Sequence, residues 1–341
     1  MLLAFVLAAA GAVACARPVR APEPQRPSPR NQRDSLLAGP PPQSVQQQAT
    51  LDRFAQQMLF KQLTDLSFFT QLGDEMIVRK IEYVGADGYI IPAYLFAPKD
   101  TTTKHPALIV VHGGVHGDFT TVYVPQVRSL VAQGYVLVAP EYRGSTGYGR
   151  QHYDAIDYGG KEVEDCIAAR DYLAQLVPYA DVNRLGMIGW SHGGFITLHS
   201  IFRRPELFKV AVAHVPVADL PTRIRTHSES YHQIFAAQKG FGGRLEDNLQ
   251  KYIDRSPIAH VRKLKIPLLV HAADNDDDVF IIENRNLRDS MIVAGFDKNG
   301  LYTYREWHNP PGGHAFGRVD TPEGRESWKE TLEFIGKHLK N

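Results

Sequence analysis

Apolar residues recur at helical spacing from Leu51 to Leu72 (Phe54, Met58, Leu59, Leu63, Leu66), predicting an amphipathic helix packed on a domain edge, with a partner-binding helix as the alternative. Residues Met76–Val84 and Tyr89–Phe96 then alternate between apolar and polar, joined by Gly85-Ala86-Asp87-Gly88, which predicts an antiparallel hairpin. After Pro106 the texture changes. Ala107–Val111 is a continuous apolar run, as in a strand buried on both faces. A helical pattern (Val124 to Ala132), a strand (Tyr135 to Ala139) and a second helix (Lys161 to Leu176) follow. Further strands are expected at Leu185–Trp190, Val210–Ala213, Ile266–Val270 and Tyr302–Arg305, with helices over Ile281–Val293 and Pro322–Leu339. Strand and helix in alternation predict an α/β fold: a mostly parallel central sheet with helices on both faces and an antiparallel hairpin before it. Ligands of such sheets bind beyond the carboxyl ends of the strands.

One strand runs straight into a special turn. Leu185-Gly-Met-Ile-Gly-Trp-Ser191-His-Gly-Gly194 is followed by the helical pattern Phe195–Phe202. Gly-x-Ser-x-Gly between a buried strand and a helix is the spelling of a nucleophile elbow. A serine hydroxyl is a weak nucleophile and must stand clear of the backbone within reach of a base. The sharp turn that achieves this strains the serine and brings neighbouring chain so close that only glycine fits, hence Gly189 and Gly193. Ser191 is therefore the candidate nucleophile.

Its partners fall at other strand ends. His112-Gly113-Gly114 follows the first buried strand, and backbone amides approach a substrate oxygen only where side chains are absent. The Gly114 amide and that of His192, the residue after the nucleophile, are the candidate oxyanion hole. The His112 and His116 side chains read as structural. After Val270 comes His271-Ala-Ala-Asp-Asn-Asp-Asp-Asp278-Val279; counting back from Val279 favours Asp276 as the acid, with Asp274 and Asp277 as rivals. Alternating Asp274, Asp276 and Asp278 also suggest a calcium loop, but position six is Val279 rather than Gly and position twelve is Arg285 rather than Glu. The 14 histidines form no metal-spaced cluster, so neither metal nor cofactor is expected. The candidate base is His314 in Asn309-Pro-Pro-Gly-Gly-His-Ala-Phe316, with His308 as rival. Serine, then aspartate, then histidine is the chain order of α/β-hydrolases.

Composition adds the setting. The formal net charge is +1, so nothing points to nucleic acid. Met1–Cys15 is an apolar run ending in small residues, too short to span a bilayer and read as a secretory signal. Ala12-Val-Ala-Cys15 also resembles a bacterial lipoprotein cleavage site, which makes Cys15 the candidate lipid anchor. Export is the expectation, to a periplasm or outer envelope or as a secreted protein. Residues 16–50, rich in Pro, Arg, Gln and Ser, read as a disordered tether, residues 51–75 as the N-terminal helix and 76–341 as the catalytic domain. Cys166 is the other cysteine and reads as a buried small hydrophobe.

His112-Gly-Gly114, Glu141-Tyr-Arg-Gly-Ser-Thr-Gly-Tyr-Gly149, Gly159-Gly-Lys-Glu-Val-Glu-Asp165, Gly189-Trp-Ser-His-Gly-Gly194, the aspartate loop before Val279 and Gly313-His-Ala-Phe316 together resemble the catalytic domain of the prolyl oligopeptidase family of serine peptidases, within the α/β-hydrolase fold. The resemblance covers about Met76 to Leu339. It implies hydrolysis of peptide or related acyl bonds through an acyl-enzyme. Residues 1–75 leave no room for the β-propeller that usually precedes this domain, so a peptidase without a propeller is expected. The segment from Leu220 to Asp254, with aromatics at Tyr231, Phe235, Phe241 and Tyr252, reads as a wall of the acyl pocket, Tyr231 and Phe235 being its candidate lining. Arg223, Arg225 and His227 stand where the family has its tyrosine-rich specificity stretch, so no proline preference is carried over. The expected partner is a peptide or small ester substrate. An esterase of the same mechanism and a non-catalytic binding module are the competing readings. Oligomeric state and natural substrate have no signature here.

Overall fold

The computed structural model describes residues 45–340. The apolar leader, Cys15 and the tether up to residue 44 lie outside the described residues. Helix α1 (Val45–Leu72) starts earlier than the periodicity predicts. Gln46, Gln47, Gln48 and Ala49 are good helix formers with no Gly or Pro among them, so residues 45–50 are helical rather than tether.

The rotation of α1 about its axis also differs from expectation. Met58, Leu59, Leu63 and Leu66 are exposed, whereas Phe54, Lys61, Phe68 and Leu72 are buried. Phe68 packs edge-on against Tyr94 and Phe96, with ring centroids 4.9 and 5.3 Å away. Lys61 is drawn inward by two carboxylates, Asp118 and Glu141. A buried ion pair and an aromatic nest thus outweigh the helix's own apolar stripe.

Eight strands form one sheet: β1 (Ile77–Val84), β2 (Ile90–Ala97), β3 (His105–Val111), β4 (Val136–Pro140), β5 (Ala180–Trp190), β6 (Val210–His214), β7 (Leu268–Ala273) and β8 (Tyr302–Trp307). Their spatial order is β1-β2-β4-β3-β5-β6-β7-β8. β1 and β2 form the predicted antiparallel hairpin (Ile77 opposite Ala97), and β2 joins β4 antiparallel. All other pairings are parallel.

Period-two alternation along the buried strands feeds two apolar layers. Ala107, Ile109, Val111, Met187, Ala211 and Val270 pack with α4 (Lys161–Leu176), α5 (His192–Arg203) and α9 (Ile281–Val293). Leu108, Val110, Ile188, Val212 and Leu269 pack with α2 (Val124–Ala132), the C-terminal half of α1 and α10 (Pro322–Leu339). Cys166 is buried in the first layer with no disulfide partner among the described residues, as expected of a small hydrophobe. Helices α4, α9 and α10 have their predicted bounds. The short helices α3 (Gly149–Asp154), α6 (Leu220–Thr226), α7 (Glu229–Ala236) and α8 (Leu245–Asp254) were not predicted. The first three are eight residues or fewer and α8 carries a kink at Asn248, so none gives a readable period.

From β3 the chain steps to one side of the sheet and from β5 to the other, so the β3–β5 crevice is the point where the order reverses. Binding sites of open α/β sheets lie at that crevice, beyond the carboxyl ends of the strands.

Candidate active site

β5 ends at Trp190, and Ser191 takes φ 56° and ψ −119° before α5 begins at His192. Positive φ costs a side-chain-bearing residue energy and persists only where the surroundings impose it. The Ser191 amide donates to His214 O at 2.9 Å, and Ser191 O accepts from Phe195 N at 2.9 Å. The glycines permit the close approach. A methyl group on Gly193 would come within 2.3 Å of Val111 O and 2.5 Å of His112 O, and one on Gly189 within 2.1 Å of Gly193 O. Gly193→Ala is accordingly expected to push α5 off β3 and to destabilise the fold by about 1–3 kcal/mol through overpacking. A shifted urea midpoint measures this; an unchanged one would show that the elbow is looser than its contacts.

The end of β3 lies against the elbow. A methyl on Gly113 would sit 3.2 Å from Ser191 Cβ, so the two strand ends are in contact. The Gly113 amide is taken, donating to Tyr123 Oη at 3.1 Å. Gly114 has φ +80°, and its carbonyl accepts from Tyr142 Oη at 2.7 Å, which fixes the peptide's orientation. No group among the described residues accepts from the Gly114 amide. His192 is the first residue of α5, whose amide has no acceptor within the helix. Beneath the loop, the buried His112 Nε2 lies 3.0 Å from Ser145 Oγ and 3.4 Å from Glu141 Oε2, and its ring stacks on Tyr142. His116 Nδ1 contacts Gly144 O at 2.8 Å. Both rings are thus engaged by protein groups.

The loop after β7 separates its aspartates by partner. Asp276 accepts from His314 Nδ1 at 2.9 and 2.8 Å, and its Oδ1 also takes the amides of Asp278 and Val279 at 2.9 and 2.8 Å. Asp274 instead binds the Asn309 amide at 2.6 Å and the His308 ring, which is itself exposed. Asp277 is exposed. Asp276 therefore meets His314, while the rivals Asp274 and His308 meet each other. The carboxylates of the calcium reading face three different partners, since Asp278 binds Arg223. His314 lies on a turn whose Gly312 and Gly313 have φ +94° and +48°, and Asn275 Nδ2 ties it to the acid loop through Pro310 O at 3.1 Å. The turn reaches the elbow's strand: a methyl on Gly317 would lie 3.9 Å from Trp190 Nε1.

The predicted wall is an aromatic cluster, but Phe235 is only 2% exposed and packs in the core, so of the two candidate lining residues only Tyr231 is partly exposed. Phe235 packs on Tyr158 and Tyr231 at 4.9 and 5.1 Å, and Tyr158 on His192 at 4.5 Å. Tyr231 and Phe235 are thus linked to the elbow through Tyr158, which the sequence reading did not single out. Burial pushes the Glu162 carboxyl up to about 8, and it stands 3.7 Å from His192 Nε2, whose ring burial holds far below the usual histidine range. The sequence reading also missed Arg223 and Asp278 as a pair; they come together from segments 55 residues apart, and no local pattern marks them.

The family model described as the prolyl oligopeptidase family matches residues 122–341. Acylamino-acid-releasing enzyme 2 of Oryza sativa subsp. japonica is 34% identical over 196 residues, 54% of this chain and 25% of that protein. The uncharacterized peptidase YuxL of Bacillus subtilis (strain 168) is 31% identical over 205 residues, 59% of this chain and 31% of that one. A Mycobacterium tuberculosis puromycin-hydrolyzing peptidase superposes with a TM-score of 0.67 and 27% identity, covering 77% of this chain and 39% of that one. The uncomplexed Pyrococcus horikoshii acylaminoacyl peptidase, with a TM-score of 0.68 and 20% identity over 81% of this chain and 44% of that one, shares the fold. This chain spans a quarter to a third of the length of these two curated relatives.

Proposed function

The chain belongs to the prolyl oligopeptidase family, and from that premise we propose that it is a serine peptidase working through an acyl-enzyme. Ser191 is the nucleophile, His314 the base, Asp276 the acid, and the Gly114 and His192 amides are the oxyanion hole. The observation that carries this reading is the Asp276–His314 pair, on loops that follow β7 and β8 of the sheet whose β5 ends in the Ser191 elbow.

The chemistry follows from the hydrogen bonds. Asp276 holds the proton of His314 on Nδ1 and leaves Nε2 as the acceptor. Ser191 Oγ makes no hydrogen bond among the described residues, so the bond to His314 Nε2 that the relay needs would form as the substrate seats. Its proton passes to Nε2 as the Oγ–C bond forms, and Asp276 stabilises the resulting imidazolium. The negative oxygen meets the two amides. His314 then returns the proton to the leaving nitrogen as the C–N bond breaks, and water repeats the sequence to release the acid.

The test compares peptide p-nitroanilides with a p-nitrophenyl ester. Cleavage of both is expected, with covalent fluorophosphonate labelling. Ester cleavage with no measurable anilide cleavage would assign the chain to the esterase alternative instead. Absence of any labelling would leave the binding-module reading.

A further inference from the structure

The acid loop carries a second carboxylate that the proposed proton relay does not use. Asp278 Oδ2 stands 3.6 Å from His314 Nε2, on the side of the ring opposite Asp276. Its other oxygen accepts from Arg223 Nη2 at 2.5 Å. Arg223 is buried, with 4% of its side chain exposed, against 49% for Asp278. The guanidinium is engaged elsewhere too: Nε donates to Tyr231 Oη at 2.7 Å, and Nη1 to Asp278 O at 2.9 Å and to Glu283 Oε1 at 3.0 Å. The cation is therefore used up in holding the carboxylate, and the charge offered to a substrate is an anionic oxygen. Burial pushes the Asp278 carboxyl up, but Arg223 and His314 outweigh it and hold it below the usual aspartate range. His227 and Tyr231 close the far side: His227 Nε2 contacts Asp278 O at 3.0 Å and its ring stacks on Tyr231.

We infer that Asp278 selects substrates whose acyl-side residue carries a free, protonated α-amine. The inference rests on the reading of Ser191 and His314 as nucleophile and base. A working base sits about 2.6–3.2 Å from the hydroxyl it deprotonates, and that hydroxyl about 3–3.5 Å from the carbon it attacks. The α-nitrogen is two bonds beyond that carbon. An anionic oxygen 3.6 Å from Nε2 lies in the neighbourhood an ammonium there would occupy, and the contact would be a charge-assisted hydrogen bond. An N-acyl group offers the same oxygen no positive charge and brings a carbonyl dipole beside it. The rival account is that Asp278 only steadies the His314 ring, in which case every substrate would depend on it equally.

The two accounts separate in one experiment. Free and N-acetylated phenylalanine, each as p-nitroanilide and as methyl ester, are compared at about pH 7, where an α-amine of pKa about 7.7–8.0 is protonated. The wild-type protein is expected to favour the free amine at least tenfold in kcat/KM, mainly through KM. Asp278→Asn keeps an acceptor for Arg223 but loses the charge, and should bring that ratio close to one. A wild-type preference for the acetylated compounds, or an Asp278→Asn variant slowed equally on both, would overturn the inference. Fluorophosphonate labelling of the wild type is read in parallel. Labelling without amine preference removes this inference alone, and no labelling removes the nucleophile assignment and the inference with it.

Discussion

Ser191→Ala should lower kcat on the order of 10⁶-fold, the scale seen when a triad serine is deleted, and leave the fold standing. The two halves of this expectation have separate causes. The hydroxyl is the group assigned to form the covalent bond, so no neighbour replaces it, and Thr197, the next hydroxyl along α5, is turned into its helix with Oγ1 donating to Gly193 O at 2.8 Å. The elbow is held by backbone contacts, through Ser191 N to His214 O and Phe195 N to Ser191 O, which alanine keeps. The positive φ is equally strained with either side chain. Fluorophosphonate labelling should vanish with a melting temperature near the parent's. Labelling that survives the substitution would place the nucleophile elsewhere.

The second large effect is on stability. Lys61→Met is expected to destabilise the fold by about 3–5 kcal/mol, the usual cost of leaving one partner of a buried ion pair alone. Lys61 and Glu141 side chains are 3% and 0% exposed, and Lys61 Nζ also donates to Asp118 Oδ2 at 3.0 Å and Phe119 O at 2.8 Å. Burial pushes the Glu141 carboxyl up, but Lys61, then His112 and Lys80, hold it down at about 2. Because this folded value lies below the ordinary 4.5, the stabilisation from Glu141 is complete above about pH 4.5 and is lost as pH falls towards 2. Without Lys61 the burial cost falls on the ionised acid, so the variant's deficit should shrink on acidification to pH 4. Lys61→Met with Glu141→Gln should recover most of the loss at pH 7, because neither partner is then charged. Urea unfolding at pH 7 and pH 4 reads both; a double variant no better than the single would show that Lys61 acts through packing of its stem alone.

Glu141 also supports the His112 loop, so this pair ties α1 to the ground beneath Gly114. Nothing in the spacing of α1 marks Lys61, which reads as one polar position among several. The apolar stripe of Met58, Leu59, Leu63 and Leu66 was the stronger local signal and faces solvent. A helix's period specifies that one face is preferred, but the buried charge of Glu141 and an aromatic nest, far from Lys61 and Phe68 in the chain, decide which face goes inward.

The chain by itself determined the elbow, the parallel sheet and the long helices, because each is a short-range matter. Strand-turn-helix with glycine at two points, period-two apolar runs and period-3.6 stripes with Thr321 capping α10 are all written within a few residues. It determined the residue types of the site for the same reason, leaving Asp274, Asp276 and Asp277 as rivals. Only the tertiary structure decided that Asp276 meets His314, that Arg223 holds Asp278 and that Lys61 meets Glu141. A charge has no period, and its partner is chosen by where packing places the end of another element, which no local spacing records.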